Sequence, residues 1–256
     1  MRTRTAIVRP PAANFGDGLT TESLGRPAFD LALAQHAAYC RALEDAGASL
    51  VELPPDDRHP DAQFVEDVAV LAPGVAILTR PGAPERLSEV AGIRAPLARH
   101  FEKVVEIVAP GTLDGGDVCA AGNRYYVGIS RRTNTAGAKQ LAGFLSSHAI
   151  ACTTVDLHDV PAILHFKSGV SYLGDGRFAA IDVLAGRLGV PESRIVRVVA
   201  GEGYAANCVR INETVIVAAG YPRLRDELAR AFRTVELDVS EFRKMDGGLS
   251  CLSLRF

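Results

Sequence analysis

A short pattern recurs five times along the chain and constrains its fold more than any single element does. In each copy a polar residue with small neighbours directly precedes an apolar run of the β type. The polar positions, separated by 50, 51, 39 and 44 residues, are Asp67, Asp117, Ser168, Asn207 and Cys251. Repeats of this kind predict a closed radial arrangement in which distant residues meet near a central axis. The alternative is an ordinary α/β sheet whose strands happen to begin with polar residues.

Helix and strand patterns alternate along the chain, which indicates the α/β class. Amphipathic segments predict four helices: residues 28–46, residues 84–104 with a break near Gly92, a segment that begins at the N-cap Asn134, and one that follows Pro222. Short apolar runs predict strands at residues 68–71, 124–127, 214–217 and 252–254. The length of 256 residues fits one large domain or two small ones, and we expect a single domain over residues 1–256.

The charge balance argues against nucleic acid as a partner. The chain has 28 Lys+Arg against 30 Asp+Glu, a net charge of -2, and its basic clusters are short and interrupted. No apolar run approaches the roughly 18 residues that a membrane helix needs. The apolar run near the N-terminus is too short for a secretory signal. These features predict a cytoplasmic protein that binds small molecules, with neither nucleic acid nor membrane as a partner.

The cysteine and glycine patterns give no sign of a cofactor. The five cysteines are widely spaced and form no C-x-x-C pair, so neither a disulfide framework nor a thiolate zinc site is indicated. The paired glycines at 115–116 and 247–248 lack the spacing of a dinucleotide or phosphate loop. We therefore expect free thiols, no metal and no cofactor.

Two pairs of acidic residues stand directly before apolar runs. Glu66 and Asp67 precede one run, and Asp114 and Asp117 flank two glycines before another. Carboxylates beside buried strands cost free energy unless something compensates them. One such pair is usually a turn or a helix cap. Two pairs in corresponding positions of the repeat favour a site for a cation.

A histidine and a cysteine complete the set of candidate reactive groups. His165 stands between apolar neighbours, and Cys251 lies near the C-terminus in the segment GGLSCLS. A lone histidine in such surroundings is usually a satisfied core residue, and a buried cysteine is usually inert. A cysteine, a histidine and a carboxylate that the repeat could bring together are the parts of an activated-thiol hydrolase.

These residues belong to segments that together resemble the dimethylarginine dimethylaminohydrolase family. The match runs in order from residue 9 to the last residue. Its segments are FVED (64–67), LDGGD (113–117), RTN (132–134), HFKSG (165–169), YAANC (204–208), AGYP (219–222) and DGGLSCLSLRF (246–256). The family is part of the guanidine-modifying superfamily. The resemblance therefore implies an α/β fold, a five-bladed pseudo-symmetric α/β-propeller (pentein) of ββαβ-type repeats.

The resemblance also implies an activity and a set of roles. It implies hydrolysis of methylated arginines to citrulline and dimethylamine or methylamine through a thiouronium on Cys251, with His165 as acid and base and Asp114 orienting His165. Some bacterial relatives carry Glu in place of that Asp. The implied substrate-binding residues are Glu66 and Asp67 at the guanidinium, Asp61 and the Leu19 carbonyl at the α-amino group, Arg80 and Arg132 at the α-carboxylate, and Phe64 and Met245 beside them. Relatives can dimerise, which leaves a homodimer open.

The implied acids should affect the nucleophile. Three carboxylates near Cys251 are expected to raise the pKa of its thiol, because like charge disfavours the thiolate. A bound guanidinium would reverse the local field. Ionisation of Cys251 is therefore expected to be coupled to substrate binding.

Other functions remain open at this point. Arginine deiminases are longer, with an extra helical segment, and agmatine deiminase would leave Arg80 and Arg132 without a carboxylate to bind. Amidino transfer would need an acceptor amine in place of water. A five-bladed binding protein without activity, like the ribosome-associated factor of this architecture, would not need Cys251, His165 and Asp114 together.

Overall fold

A computed structural model describes residues 3–256, and this part of the chain forms five three-stranded sheets. The strands are β1 (Thr5–Val8), β2 (Ser49–Glu52), β3 (Ala69–Ala72), β4 (Val75–Leu78), β5 (Lys103–Glu106), β6 (Val118–Ala121), β7 (Arg124–Ile129), β8 (Ala151–Asp156), β9 (Val170–Gly174), β10 (Arg177–Ile181), β11 (Ile195–Val198), β12 (Val209–Ile211), β13 (Thr214–Ala218), β14 (Arg233–Leu237) and β15 (Ser253–Arg255). The α-helices are α1 (Phe29–Asp45), α2 (Ala91–Ala98), α3 (Thr135–Ser146), α4 (Asp182–Ala185), α5 (Pro222–Ala229) and α6 (Ser240–Arg243).

Every sheet repeats one topology. Its middle strand pairs antiparallel with one neighbour and parallel with the other, as β4 does with β3 and β5. A parallel pair needs a crossover connection, and α1 to α5 each lie in one. In the sheet that joins the two ends of the chain, the C-terminal β15 pairs with β1, with Leu254 opposite Ile7. The pattern confirms the predicted five-bladed α/β-propeller of ββαβ repeats.

The core lies between neighbouring blades. Ala6 and Val8 of β1 pack in one apolar cluster, whereas Ile7, which points to the opposite face, packs in another. Both faces of the strand are buried because each blade is covered on two sides. Middle strands such as β4 and β13 therefore read as continuous apolar runs, whereas the outer parallel strands, such as β2 and β5, are partly exposed. Because both faces of a middle strand are apolar, the sequence does not show which neighbouring blade each face packs against.

The helix predictions agree with the structure except in length and number. α1 and α3 are confirmed, and the N-cap Asn134 accepts a hydrogen bond from the Gly137 amide at 2.8 Å. The second prediction is too long, because a 3-10 helix, Pro84–Val90, precedes α2 and β5 begins at Lys103. α5 begins at Pro222 as predicted. α4 and α6 were missed, since four residues are too few to show a helical period.

A 3-10 turn precedes the first strand of each blade. These five segments, called head turns below, are Val65–Val68, Gly115–Asp117, Phe166–Ser168, Gly203–Ala206 and Leu249–Leu252. They coincide with the recurring polar pattern of the sequence. Neighbouring head turns touch one another, as the first does with the second and the fifth. The ring thus gathers polar residues from five distant parts of the chain.

Within residues 3–256, no helix combines the length and the apolar character that crossing a bilayer requires.

Candidate active site

Head turns and nearby loops line a small, partly open cavity of about 20 Å³. It is lined by Leu19, Asp61, Phe64, Asp67, Arg86, Arg132, Leu164, His165, Met245, Asp246, Gly247 and Cys251. Carboxylates, guanidinium groups, an imidazole and a thiol therefore share one cavity. Of the residues implied by the resemblance, eight lie in this lining.

Cys251 belongs to the fifth head turn and is 8% exposed. The Gly248 amide donates to its Sγ at 3.4 Å. Burial, followed by the negative charges of Glu66 and Asp67, raises the pKa of the Cys251 thiol to about 12. The sequence predicted the direction of this shift from the carboxylates, but burial is the larger cause. In the unliganded protein the thiol is therefore neutral at physiological pH.

His165 precedes the third head turn and pairs with Asp114. Its Nε2 lies 3.0 Å from Oδ2 of Asp114, which is completely buried. Burial by itself would lower the pKa of His165, but the charge of Asp67 and the hydrogen bond to Asp114 raise it to about 9. The imidazole therefore holds its proton at neutral pH. Oδ1 of Asp114 accepts from the Gly82 amide at 2.8 Å, which fixes the carboxylate in place.

Gly116 makes room for the histidine. A Cβ atom at this position would lie 2.7 Å from Nδ1 of His165 and 2.7 Å from Oδ1 of Asp67. Such contacts are far too short, so any side chain here would push the imidazole or the carboxylate away. The glycine that follows Asp114 and Gly115 in the sequence is thus a packing requirement of the site.

Asp67 and Arg86 form a buried ion pair in the cavity wall. Arg86 Nη1 donates to Oδ2 of Asp67 at 2.6 Å, and its Nη2 donates to Glu89 at 2.8 Å. Burial disfavours the charged form of Asp67, but the charges of His165 and Arg86 outweigh it and lower the pKa of the carboxyl group. Asp67 therefore presents a negative charge to the cavity.

Asp61 and Leu19 meet at another part of the wall. The Leu19 amide donates to Oδ2 of Asp61 at 3.1 Å. The loop that carries Leu19 is also fastened to the segment before Cys251, because the Thr21 amide donates to Asp246 at 2.6 Å. Asp246 has a left-handed backbone with φ of 57°. The loop therefore closes one side of the cavity and is held there by a carboxylate.

Two of the implied substrate-binding residues lie elsewhere. Arg80 is absent from the cavity lining, and its guanidinium donates to the Gly111 carbonyl at 3.4 Å. The backbone of Arg80 pairs with that of Leu113 in an isolated antiparallel bridge. Arg86, which the sequence analysis did not select, is the second cationic residue of the lining beside Arg132. The structure thus places Arg86, and not Arg80, in the lining beside Arg132, and the role implied for Arg80 stays a prediction.

Glu66 also lies outside the lining, although it is next to Asp67 in sequence. Its carboxylate is buried and pairs with Lys167 at 2.7 Å and with the Ser250 hydroxyl at 2.7 Å. Of these two acids only Asp67 lines the cavity. The contact implied between Glu66 and the guanidinium stays a prediction.

Asp67, Asp114 and His165 lie close enough to be considered as metal ligands, with ligating atoms within 4.8 Å of one another. Each oxygen of both carboxylates already has a partner. Asp67 accepts from Arg86 and from the Gly116 amide, and Asp114 accepts from Gly82 and pairs with His165. A metal would have to displace these groups beside a permanent positive charge. The donor set fits a charge-balanced catalytic cluster better than a metal site.

No sequence pattern singled out Arg86 as a residue of the site. Arg86 and Glu89 are three residues apart in a segment that was predicted to be an amphipathic helix, and both are buried. A surface helix places charges outward, so nothing in the pattern distinguished this pair from ordinary solvent-facing residues. Their burial depends on how the 3-10 helix packs against the loop before the first head turn.

Comparison with known proteins identifies the group to which the chain is related. No family model matches it. A dimethylarginine dimethylaminohydrolase of Pseudomonas aeruginosa is 43% identical over 252 residues, which cover 98% of each chain. The Streptomyces coelicolor protein of the same name is 37% identical over 265 residues, covering 100% of this chain and 98% of its own.

Solved structures agree. A Pseudomonas aeruginosa dimethylarginine dimethylaminohydrolase, a cysteine-to-serine variant complexed with citrulline, superposes with a TM-score of 0.94 at 42% identity and covers 100% of both chains. The N-terminal domain of the cyanobacterial arginine dihydrolase ArgZ superposes with a TM-score of 0.89 over 100% of this chain and 97% of its own, but at 20% identity it shows the fold alone. The chain belongs to the dimethylarginine dimethylaminohydrolase family and has its five-bladed propeller fold.

Proposed function

We propose that this protein hydrolyses Nω-methylated arginines to citrulline and dimethylamine or methylamine. The observation that carries the proposal is the joint lining of one small cavity by Cys251, His165, Asp67, Arg86 and Arg132. Carboxylates bind a guanidinium through charge-assisted hydrogen bonds, and arginines bind a carboxylate. The cavity thus offers complementary groups for both ends of an arginine.

We assign the binding roles by charge. Asp67 takes the guanidinium and Asp61, with the Leu19 carbonyl, takes the α-amino group. Arg132 is 18% exposed at its side chain and has only a 3.8 Å approach to Asp114, so its guanidinium is available for the α-carboxylate. Arg86, whose donors bond to Asp67 and Glu89, holds the Asp67 carboxylate in place in the wall. Phe64 and Met245 supply apolar wall beside the substrate's methylene chain.

The first chemical step joins Cys251 to the substrate. The bound cation favours loss of the thiol proton to solvent, and the thiolate attacks the guanidinium carbon to form a tetrahedral adduct. The bond from carbon to the methylated nitrogen then breaks as His165 donates its proton to that nitrogen. Dimethylamine or methylamine leaves as a neutral amine, and an S-linked thiouronium remains on Cys251. His165, held by Asp114, is then neutral.

The second step releases the product. Neutral His165 accepts a proton from a water molecule, whose oxygen adds to the thiouronium carbon. The carbon–sulfur bond of this adduct breaks as its hydroxyl group loses its proton, so that citrulline forms and Cys251 takes up a proton and returns to the neutral thiol. This step leaves His165 protonated again. One imidazole thus serves both steps. Its pKa, which Asp67 and Asp114 raise, keeps the proton available for the first step.

The test is incubation of the purified protein with asymmetric dimethylarginine, with citrulline and dimethylamine measured separately. Equal amounts of both products are expected, and Cys251→Ser is expected to yield neither. Arginine and agmatine are assayed in parallel, because a deiminase would release ammonia from one of them. Turnover of agmatine at a rate above that of the methylated arginine would contradict the proposal.

Three further expectations remain predictions based on the sequence: a single catalytic domain over residues 1–256, a cytoplasmic location, and a homodimer as an open possibility. Cell fractionation tests the location. Sedimentation velocity of the purified protein tests the oligomeric state.

A further inference from the structure

One buried carboxylate connects three of the five head turns. Glu66, in the first head turn, forms an ion pair with Lys167 Nζ of the third at 2.7 Å and accepts a hydrogen bond from Ser250 Oγ of the fifth at 2.7 Å. Arg255 Nη2 approaches the same carboxylate at 3.3 Å. The side chain of Glu66 is 4% exposed and that of Lys167 is 14% exposed. The contacts are short and direct, and water has little access to them.

The three connected residues stand next to the reacting groups in sequence. Lys167 is two residues after His165, Ser250 is directly before Cys251, and Glu66 is directly before Asp67. Glu66 therefore links, from outside the cavity, the three segments that carry His165, Cys251 and Asp67. Side chains that react must be held within a fraction of an ångström, and supporting contacts of this kind do so.

The amide of Ser250 is held as well. It donates to Oδ1 of Asn207, in the segment that follows the fourth head turn, at 2.8 Å. Ser250 thus has its hydroxyl fixed by one blade and its amide by another, and Cys251 follows at once. This leaves the turn that carries the nucleophile little freedom to shift relative to the rest of the ring.

Lys167 also contributes charge. The positive ammonium group offsets Glu66, whose negative charge, after burial, is the next cause of the raised pKa of Cys251. Removing Lys167 would leave Glu66 with less positive charge beside it. The thiolate would then be harder to form, and the carboxylate would lose one of its fixed partners.

We propose that Lys167 is a positioning residue that, through Glu66 and Ser250, sets the placement of Cys251 relative to His165. The expected effect of Lys167 on turnover rests on the proposed function, whereas its expected effect on the Cys251 thiol does not. Lys167 does not line the cavity and does not contact substrate. The effect is expected on the chemical step and not on substrate affinity.

The primary test compares Lys167→Met, Lys167→Arg and the control Lys103→Met, whose lysine is exposed on β5. Lys167→Met is expected to lower kcat about 10- to 100-fold, the loss that a small misplacement of reacting groups causes, with little change in KM. Lys167→Arg keeps the charge at Glu66 and should restore part of kcat. Lys103→Met should match the wild type. Melting temperatures accompany each variant.

A second readout needs no substrate. The rate of Cys251 alkylation by iodoacetamide is measured against pH, with peptide mapping to separate this thiol from the other four. In Lys167→Met the profile should shift to higher pH, and in Lys103→Met it should not. A protein with no methylarginine activity that still shows this shift would refute the proposed function and support the role of Lys167.

Two results would overturn the inference. One is a folded Lys167→Met variant with wild-type kcat and an unshifted alkylation profile, and the other is a change in KM alone. If Lys167→Met does not fold, Ser250→Ala takes its place, because it removes the hydroxyl bond and leaves the ion pair intact. A wild-type kcat in folded Ser250→Ala would then refute the connection through Glu66.

Discussion

Binding of a cationic arginine derivative should lower the pKa of Cys251. Burial and then the charges of Glu66 and Asp67 raise this pKa to about 12 in the unliganded protein. At pH 7 only about one thiol in 10⁵ would be ionised. A guanidinium held by Asp67 brings one positive charge next to Sγ, and this charge favours the thiolate.

The size of the change follows from Coulomb's law. Two unit charges about 4 Å apart interact by about 4 kcal/mol at an effective dielectric constant of about 20. One pKa unit corresponds to about 1.36 kcal/mol, so the shift is about 3 units and the pKa falls to roughly 9. The thiolate fraction at neutral pH then rises about 10³-fold. Reactivity is thereby confined to the complex with a cation.

The assay follows the ultraviolet absorbance of the thiolate against pH. Cys251→Ser supplies the background from the other cysteines and the tyrosines. The titration is made without ligand, with a non-reactive cationic arginine analogue, and with a neutral analogue of the same shape, which should shift the pKa less. A free enzyme whose thiolate forms well below pH 7, or a cation that raises the pKa, would refute the reasoning. A resting pair of thiolate and imidazolium would then replace it.

Three further predictions concern single residues. Arg132→Ala should raise KM about 10- to 100-fold and lower kcat less, because its contact with the α-carboxylate changes little during the reaction. Arg80→Ala should leave KM unchanged, since that side chain bonds to Gly111 outside the cavity. His165→Gly should be nearly inactive, and any adduct on Cys251 should persist long enough for intact-protein mass spectrometry. Gly116→Ala should abolish most activity by displacing the imidazole and cost about 1–3 kcal/mol of stability.

Each of these has a result that contradicts it. A KM that rises equally in Arg80→Ala and Arg132→Ala would mean that the carboxylate contact is misassigned. Normal turnover by His165→Gly would remove the imidazole from both steps. Full activity in Gly116→Ala, with an unchanged melting temperature, would show that the residues around His165 can shift to accommodate an added methyl group.

The sequence alone could predict the frame of the fold. The recurring polar position before an apolar run gives five units, because each blade places its first strand behind a head turn. Helices α1 and α3 follow from the apolar period and, for α3, from Asn134 at its N-cap. The short helices α4 and α6 could not be found, since four residues do not complete enough turns to show a period.

The sequence also indicated which residue types react, but the tertiary structure decided which of them face the cavity. Glu66 and Asp67 are neighbours with the same chemistry, yet only Asp67 lines the cavity, whereas Glu66 pairs with Lys167 and Ser250 from other head turns. Arg80 and Arg86 are equally plausible in sequence, and the packing of a 3-10 helix against the first head turn places Arg86 in the wall. Local patterns record periodicity and chemical type, whereas the direction of a side chain near the axis depends on contacts between blades that are far apart in the chain.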